Sequence, residues 1–190
     1  MKRLSVALVL LVWFVTPASA DLDEGMAAYG RGDYATALRE FSPHAEKGDG
    51  FSQFSLGILY AEGQGVPQDY KEAMHWYRLA AEQGHDEAQV NLGFMYAKGQ
   101  GVPQDYKEAA RWYRIAAEQG SAIAQFKLGR MYRTGLGVPQ DYVQAHMWAN
   151  LAAAQNHKNA SVVRNLIAKK MSQSQIAEAQ RLAREWKPKK

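Results

Sequence analysis

The side chains that could carry out chemistry are few and scattered along the chain. There is no cysteine, and the five histidines are His44, His75, His85, His146 and His157. No two of them are three or four residues apart, so we take them to occupy unrelated positions and to be solvated surface groups. Because ligand clusters normally show a recognisable spacing, the sequence predicts no metal site. A site assembled from distant parts of the chain stays open as an alternative.

Catalytic motifs are also missing from the sequence. It contains neither G-x-S-x-G nor H-E-x-x-H, and it has no cysteine nucleophile. Asp69, Asp105 and Asp141 recur at a fixed spacing, but each precedes a stretch with helical apolar periodicity, where an aspartate serves as a helix cap. We therefore predict no catalytic residue and no cofactor.

A glycine-rich stretch before each of these helices raises the question of phosphate binding. The letters GQGVPQDY stand at 63–70 and 99–106, and GLGVPQDY stands at 135–142. They lack the third glycine of a dinucleotide fingerprint and the Lys-Ser/Thr of a P-loop, and no strand precedes them. Three copies at a period of 36 residues predict a structural turn in a tandem supersecondary unit.

Each unit is predicted to be a helix–turn–helix hairpin, with units at 48–83, 84–119 and 120–155. Asp69 is followed three residues later by Glu72, the pattern of a capping box at the start of the second helix. The first helix carries Gly57 at a position repeated in every unit. Because glycine costs a helix about 1 kcal/mol relative to alanine, we expect the partner helix to contact the backbone there. Residues expected to adopt left-handed conformation after the second helix are Gly84, Gly120 and Asn156.

The flanking segments extend the array. Residues 21–47 share the Asp-Tyr and alanine pattern but lack the glycine turn, which predicts a shorter, divergent hairpin. After residue 156, Val162 and Leu166 indicate one more helix, and Ser172 can cap another. Residues 156–190 are therefore read as capping helices with a basic tail. The prediction is an all-α superhelix of ten helices in five antiparallel pairs.

The first 20 residues have the composition of an export signal. Lys2 and Arg3 precede an apolar run, and Ala18, Ser19 and Ala20 form a cleavage site of the A-x-A type. Residues 1–20 are predicted to be a signal peptide, with an uncleaved anchor as the alternative, and the mature chain is expected in the periplasm.

The repeated framework resembles the Sel1-like repeat, a relative of the tetratricopeptide repeat. In the second unit the framework residues are Ala88, Leu92, Gly93, Tyr96, Gly99, Gly101, Val102, Asp105, Tyr106, Ala109, Trp112, Tyr113, Ala116, Ala117 and Gly120. The resemblance implies a helical solenoid whose concave face is lined by the first helix of each pair. It also implies a non-enzymatic scaffold for protein–protein or protein–peptide interaction.

Transferring the groove positions of related hairpins gives the predicted partner-binding residues: Ile58, Glu62, Phe94, Lys98, Arg130 and Thr134. They vary between copies more than the framework does. Phe54, Val90 and Phe126 are expected to be partly core. The partner is expected to be a protein or peptide of the cell envelope, and nucleic acid is not expected.

Two alternatives remain. One is a weak hydrolase of the β-lactamase or penicillin-binding type described for cysteine-rich Sel1-like proteins, although this chain lacks their cysteines. The other follows from charge: residues 21–156 hold 12 basic and 17 acidic side chains, and residues 157–190 hold 9 basic and 2 acidic. The basic C-terminal segment could contact an anionic surface, although a solvated tail is the simpler interpretation.

Overall fold

The computed structural model describes residues 21–189, which form ten α-helices joined by turns. The helices are α1 Leu22–Gly30, α2 Tyr34–Glu46, α3 Gly50–Glu62, α4 Tyr70–Glu82, α5 Asp86–Lys98, α6 Tyr106–Gln119, α7 Ala122–Thr134, α8 Tyr142–Ala154, α9 Ala160–Ala168 and α10 Gln173–Glu185. The predicted all-α class and the number of helices are confirmed. In this range no helix is long and apolar enough to cross a membrane. The predicted signal peptide at 1–20 lies outside the described residues.

In each repeat unit the second helix packs against the glycine of the first helix. A Cβ on residue 93 would lie 2.8 Å from two ring carbons of Tyr113, which belongs to the second helix of the same pair. In the last unit Ala149 replaces this tyrosine, and residue 129 instead faces the backbone of α8. The predicted contact between the glycine and its partner helix is therefore confirmed.

The glycine-rich turn has a structural role at both of its glycines and at its last glutamine. Gly63 ends α3 at φ 68°, and the Gln68 side-chain amide donates to the Ala61 carbonyl at 2.7 Å. Gly65 (φ 73°) lies against the previous unit, because a Cβ there would stand 2.7 Å from the Tyr34 carbonyl oxygen. The turn is therefore also a contact between units, in agreement with a structural reading of the motif.

At the start of α4 the structure contains only one of the two kinds of hydrogen bond in the predicted capping box. The Asp69 carboxylate accepts the Lys71 amide at 2.8 Å and the Glu72 amide at 3.2 Å, as expected. The Asp69 amide, which Glu72 should reach, instead donates to the Tyr60 carbonyl at 2.9 Å. The prediction of reciprocal capping is wrong here because the end of α3 already occupies that donor. Among the helices of residues 21–189, only α10, capped by Ser172, has the complete box.

Buried glutamines connect successive units. Gln53, Gln89 and Gln125 occupy the same repeat position and are at most 3% exposed. Each donates its side-chain amide to a carbonyl of the preceding second helix, at 3.0, 3.1 and 3.3 Å. Because a buried polar group needs such a partner, these bonds fix the position of each first helix on the previous unit.

The C-terminal end differs from the expected fifth hairpin. Both α9 and α10 pack on α8 rather than on each other. Trp186 meets Trp148 edge to face at 6.2 Å between ring centroids. Beyond α10, Lys189 donates its amide to the Glu118 carbonyl at 2.7 Å and its ammonium to the Glu118 carboxylate at 2.8 Å. Lys189 is therefore held against α6, although its side chain is 73% exposed.

The expectation for the histidines is also wrong in two respects. His85 and His157 lie two periods apart. Each stacks on a phenylalanine of the preceding helix pair, Phe54 and Phe126 respectively, with ring centroids 4.4 Å apart. They therefore share a repeat position. His146 is buried, only 3% exposed, in α8.

Candidate functional site

Three cavities line one face of the array, along α1, α3, α5 and α7. The first, of about 330 Å³, is almost wholly apolar and is lined by Met26, Tyr29, Phe41, Phe51, Phe54, Ser55 and Ile58. The second, of about 380 Å³, is lined by Tyr29, Ile58, Ala61, Glu62, Tyr70, Tyr77, Asn91, Phe94, Met95 and Gln100. The third, of about 240 Å³, is lined by Phe94, Ala97, Lys98, Tyr106, Tyr113, Lys127, Arg130, Thr134 and Leu136.

The cavities form one continuous groove because neighbours share lining residues. Tyr29 and Ile58 belong to the first and the second cavity. Phe94 belongs to the second and the third. We call this surface the groove. It crosses three successive units and the N-terminal hairpin.

All six residues predicted for partner binding line the groove. Ile58, Glu62 and Phe94 lie in the second cavity, and Lys98, Arg130 and Thr134 lie in the third. Phe94 is 40% exposed although it is a large apolar residue. The three residues expected to be partly core, Phe54, Val90 and Phe126, are half-buried.

Sequence reasoning missed several groove residues. One repeat position supplies Ser55, Asn91 and Lys127, all of which line a cavity. This position changes from copy to copy, which is the same signal that selected Ile58 and Phe94. Tyr29 and Met26 come from the divergent first hairpin, where no repeat pattern marks them.

The chemistry of the groove changes along its length. At the α1–α3 end the cavity offers almost only apolar surface. In the middle, burial raises the pKa of Tyr77, the Asn91 side chain lowers it by a hydrogen bond, and the Glu62 charge raises it. The pKa of Tyr29 is also raised, mainly by burial and then by Glu62. Both tyrosines are therefore neutral hydroxyl groups near one carboxylate.

The α5–α7 end carries three cations. The ammonium groups of Lys98 and Lys127 each lie 5.9 Å from the centroid of the Phe94 ring. Arg130 lies 6.0 Å from the centroid of the Phe126 ring. Burial lowers the pKa of Lys127, and the Arg130 and Lys98 charges lower it further. We call Lys98, Lys127 and Arg130 the cationic cluster.

A larger cavity on the other side of the array, about 560 Å³, is a weaker candidate. Its polar groups already bind each other or their own backbone. Arg114 donates to the Tyr132 hydroxyl at 2.8 Å, Gln140 to the Arg133 carbonyl at 2.8 Å, and Glu118 is paired with Lys189. Few groups remain there to recognise a ligand.

The described residues give the hydrolase alternative no support. The group of ligand-type side chains found in this range is His85, Asp86 and Glu87, whose ligand atoms lie within 4.8 Å of one another. They are consecutive residues at the start of α5. Acidic side chains at a helix N-terminus stabilise the helix dipole without any bound ion, so this cluster needs no ligand to explain it.

The fold and the groove define a class: a helical repeat solenoid of the scaffold type. The Sel1 repeat family model matches residues 50–85, 86–121 and 122–157. The chain therefore belongs to the Sel1 repeat family, which is generally a non-catalytic scaffold whose fold is consistent with protein–protein interaction. The matched repeats are each 36 residues long and begin two residues after the units defined from the sequence.

Two solved structures are similar to this chain. One is the crystal structure of a Sel1 repeat protein from Oxalobacter formigenes, with 41% identity and a TM-score of 0.63, covering 68% of this chain and 97% of that one. The other is c5321, a protective antigen present in uropathogenic Escherichia coli strains and displaying an SLR fold. It is 30% identical with a TM-score of 0.52, and the match covers 85% of this chain and 45% of the antigen. No match was found among curated proteins.

Proposed function

We propose that this chain is an exported Sel1 repeat scaffold that binds a segment of another protein along the groove and has no chemistry of its own. The continuity of the three cavities carries the proposal, because an elongated partner can contact α1, α3, α5 and α7 at once. Such elongated inner surfaces are typical binding sites of solenoids.

Exposed apolar side chains support the same surface. In residues 21–189 seven large apolar side chains are exposed, and four of them line the groove: Met26, Phe51, Phe94 and Leu136. Concentrated exposed apolar surface in a soluble domain is typical of interaction sites. Phe51 and Phe94 also lie on rigid helices, which keeps the ordering cost of binding low.

Export to the periplasm is the second part of the proposal. It is supported by the basic residues, apolar run and A-x-A site within residues 1–20. Fractionation of cells that produce the full chain with a C-terminal tag tests it. Tagged protein with an N-terminus at Asp21 in the periplasmic fraction is expected, and intact protein in the cytoplasm would refute export.

The groove is tested by capture of proteins from a cell-envelope extract. We expect the double variant Ile58→Asp, Phe94→Asp to lose a partner that the wild-type protein retains, because the new carboxylates make the apolar surface polar. The matched control is Val162→Asp, Leu166→Asp on α9, where both side chains are more than half exposed but lie outside the groove. Equal capture by the wild type and the groove variant would contradict the proposal, provided that circular dichroism shows both to be folded.

A further inference from the structure

The cationic cluster is unusual for its surroundings. Residues 21–156 hold more acidic than basic side chains, 17 against 12, yet three cations converge at one end of the groove. Lys98 comes from α5, and Lys127 and Arg130 come from α7 one turn apart. The two helices therefore bring the charges together across a unit boundary.

These cations have no acidic partner in the part of the chain that the structure describes. Ion pairs there involve Arg31, Arg39, His85, Arg111, Arg181 and Lys189, and none involves the cluster. Their recorded contacts are with the rings of Phe94 and Phe126. Because like charges repel and Lys127 is partly desolvated, an added anion would relieve an unfavourable arrangement.

The rest of the groove restricts where an anion can bind. Glu62 places a negative charge in the middle cavity, next to Tyr29 and Tyr77. The α1–α3 cavity is apolar and offers no counter-charge. An acidic group is therefore favoured only at the α5–α7 end, and a large apolar side chain is favoured at the other.

From this polarity we infer that the groove recognises an extended acidic segment of a protein partner. Clustered Asp or Glu side chains of the segment bind the cationic cluster, and a large apolar side chain of the segment fills the α1–α3 cavity. This inference rests on the proposed function and names the chemistry of the partner. The negative charge of the partner comes from side-chain carboxylates rather than from its C-terminus, because one terminal carboxylate cannot neutralise three cations.

The spacing of the two anchors follows from the fold. The groove helices α3 and α5 both pack on α4, and α5 and α7 both pack on α6. Packed helix axes lie about 8–10 Å apart, so two groove helices that share one partner lie at most about 20 Å apart, and the two steps from the α1–α3 cavity to the α5–α7 cavity span at most about 40 Å. An extended chain rises about 3.3 Å per residue, so a segment of up to about twelve residues joins the acidic and the apolar side chains that occupy these two cavities. The partner segment is therefore short enough to be a linear motif in a loop or tail.

Selection from a random peptide library, displayed with both ends blocked, tests the inference. Peptides retained by the full-length mature protein should be enriched in clustered Asp and Glu within about twelve residues of a large apolar residue. The variant Lys127→Glu, Arg130→Glu should lose the acidic enrichment. The control variant Lys71→Glu, Lys107→Glu makes the same charge change at exposed positions outside the groove and should keep it.

A selected peptide then gives the quantitative test. Replacing its glutamates by glutamine should weaken binding at least about tenfold, as expected for charge-assisted hydrogen bonds, and binding of the acidic form should weaken as salt is raised. Enriched peptides with no acidic bias, whose binding depends on Phe94, would overturn the inference and leave the proposed function intact. Peptides that bind equally well to the Ile58→Asp, Phe94→Asp variant would overturn both. Acidic peptides that bind only with a free C-terminus would show that the terminus is the source and would overturn the assignment to side chains.

Discussion

The ring of Tyr113 occupies the space that a Cβ on residue 93 would need. Two of its ring carbons lie 2.8 Å from that point, and the tyrosine is only 3% exposed. The glycine in the first helix and the tyrosine in the second therefore form one packing unit. The same pair recurs as Gly57 and Tyr77, so the close approach of the two helices depends on it in both of these hairpins.

Gly93→Ala should therefore destabilise the protein although alanine favours helices. Overpacking costs about 1–3 kcal/mol, and the helix propensity returns about 1 kcal/mol, so we expect a net loss of up to about 2 kcal/mol. Gly30→Ala is the control, because nothing lies within 4 Å of a Cβ there. Urea unfolding followed by circular dichroism measures both. A Gly93→Ala variant as stable as the control would show that the ring moves aside freely.

The two residues of the expected capping box at the start of α4, Asp69 and Glu72, should contribute differently to stability. Asp69→Ala should lower the free energy of unfolding by about 1 kcal/mol, since it removes the acceptor for two amides. Glu72→Ala should change it by less than about 0.5 kcal/mol, as for other exposed positions without a specific contact. Asp69→Asn keeps a capping oxygen and is the control. If Glu72→Ala costs as much as Asp69→Ala, the box closes in solution.

These local features show what the sequence can predict. The left-handed residues Gly84, Gly120 and Asn156 have φ values of 94°, 109° and 60°, as expected, because such requirements depend only on neighbouring residues. The place of α10 could not be predicted in the same way. Its apolar stripe specifies a buried face but not which helix covers it, and no repeat position gives the answer.

In the groove, too, some residues could be predicted from the sequence and others depend on tertiary packing. Ile58, Phe94 and Arg130 could be predicted from their repeat position. Lys127 could have been found by the same variation between copies, but the groove positions transferred from related hairpins do not include it. The grouping of Lys127 with Lys98 could not be predicted, because it depends on how α5 and α7 both pack on α6.

In the C-terminal segment, the aromatic contact of Trp186 should contribute more to stability than the ion pair of Lys189. Trp186→Ala should destabilise the protein by about 2 kcal/mol, because it removes an aromatic contact and uncovers Trp148. Lys189→Ala should cost less than about 1 kcal/mol, because the pair with Glu118 is exposed and screened. Lys187→Ala is the control for loss of charge. Thermal unfolding of the three variants gives the order, and a larger effect of Lys189→Ala than of Trp186→Ala would contradict it.

His146 should make stability depend on pH. It is buried in α8, its Nδ1 has no hydrogen-bond partner in the described range, and burial, followed by the Arg164 charge, lowers its pKa below the ordinary value of 6.5. Below pH 6.5 the unfolded chain therefore binds a proton that the folded chain does not, which favours unfolding.

We expect the free energy of unfolding to fall as the pH is lowered from 6.5 through the folded-state pKa of His146. Below that pKa, His146 adds no further pH dependence. His146→Leu keeps an apolar side chain in the site and removes the titration. Urea unfolding of both proteins across this pH range isolates the contribution, because the other four histidines are common to both. The difference in stability between wild type and variant should shift in favour of the variant as the pH falls. A difference that stays constant would show that His146 titrates alike in the folded and unfolded chains, as it would if local opening exposed α8 to water.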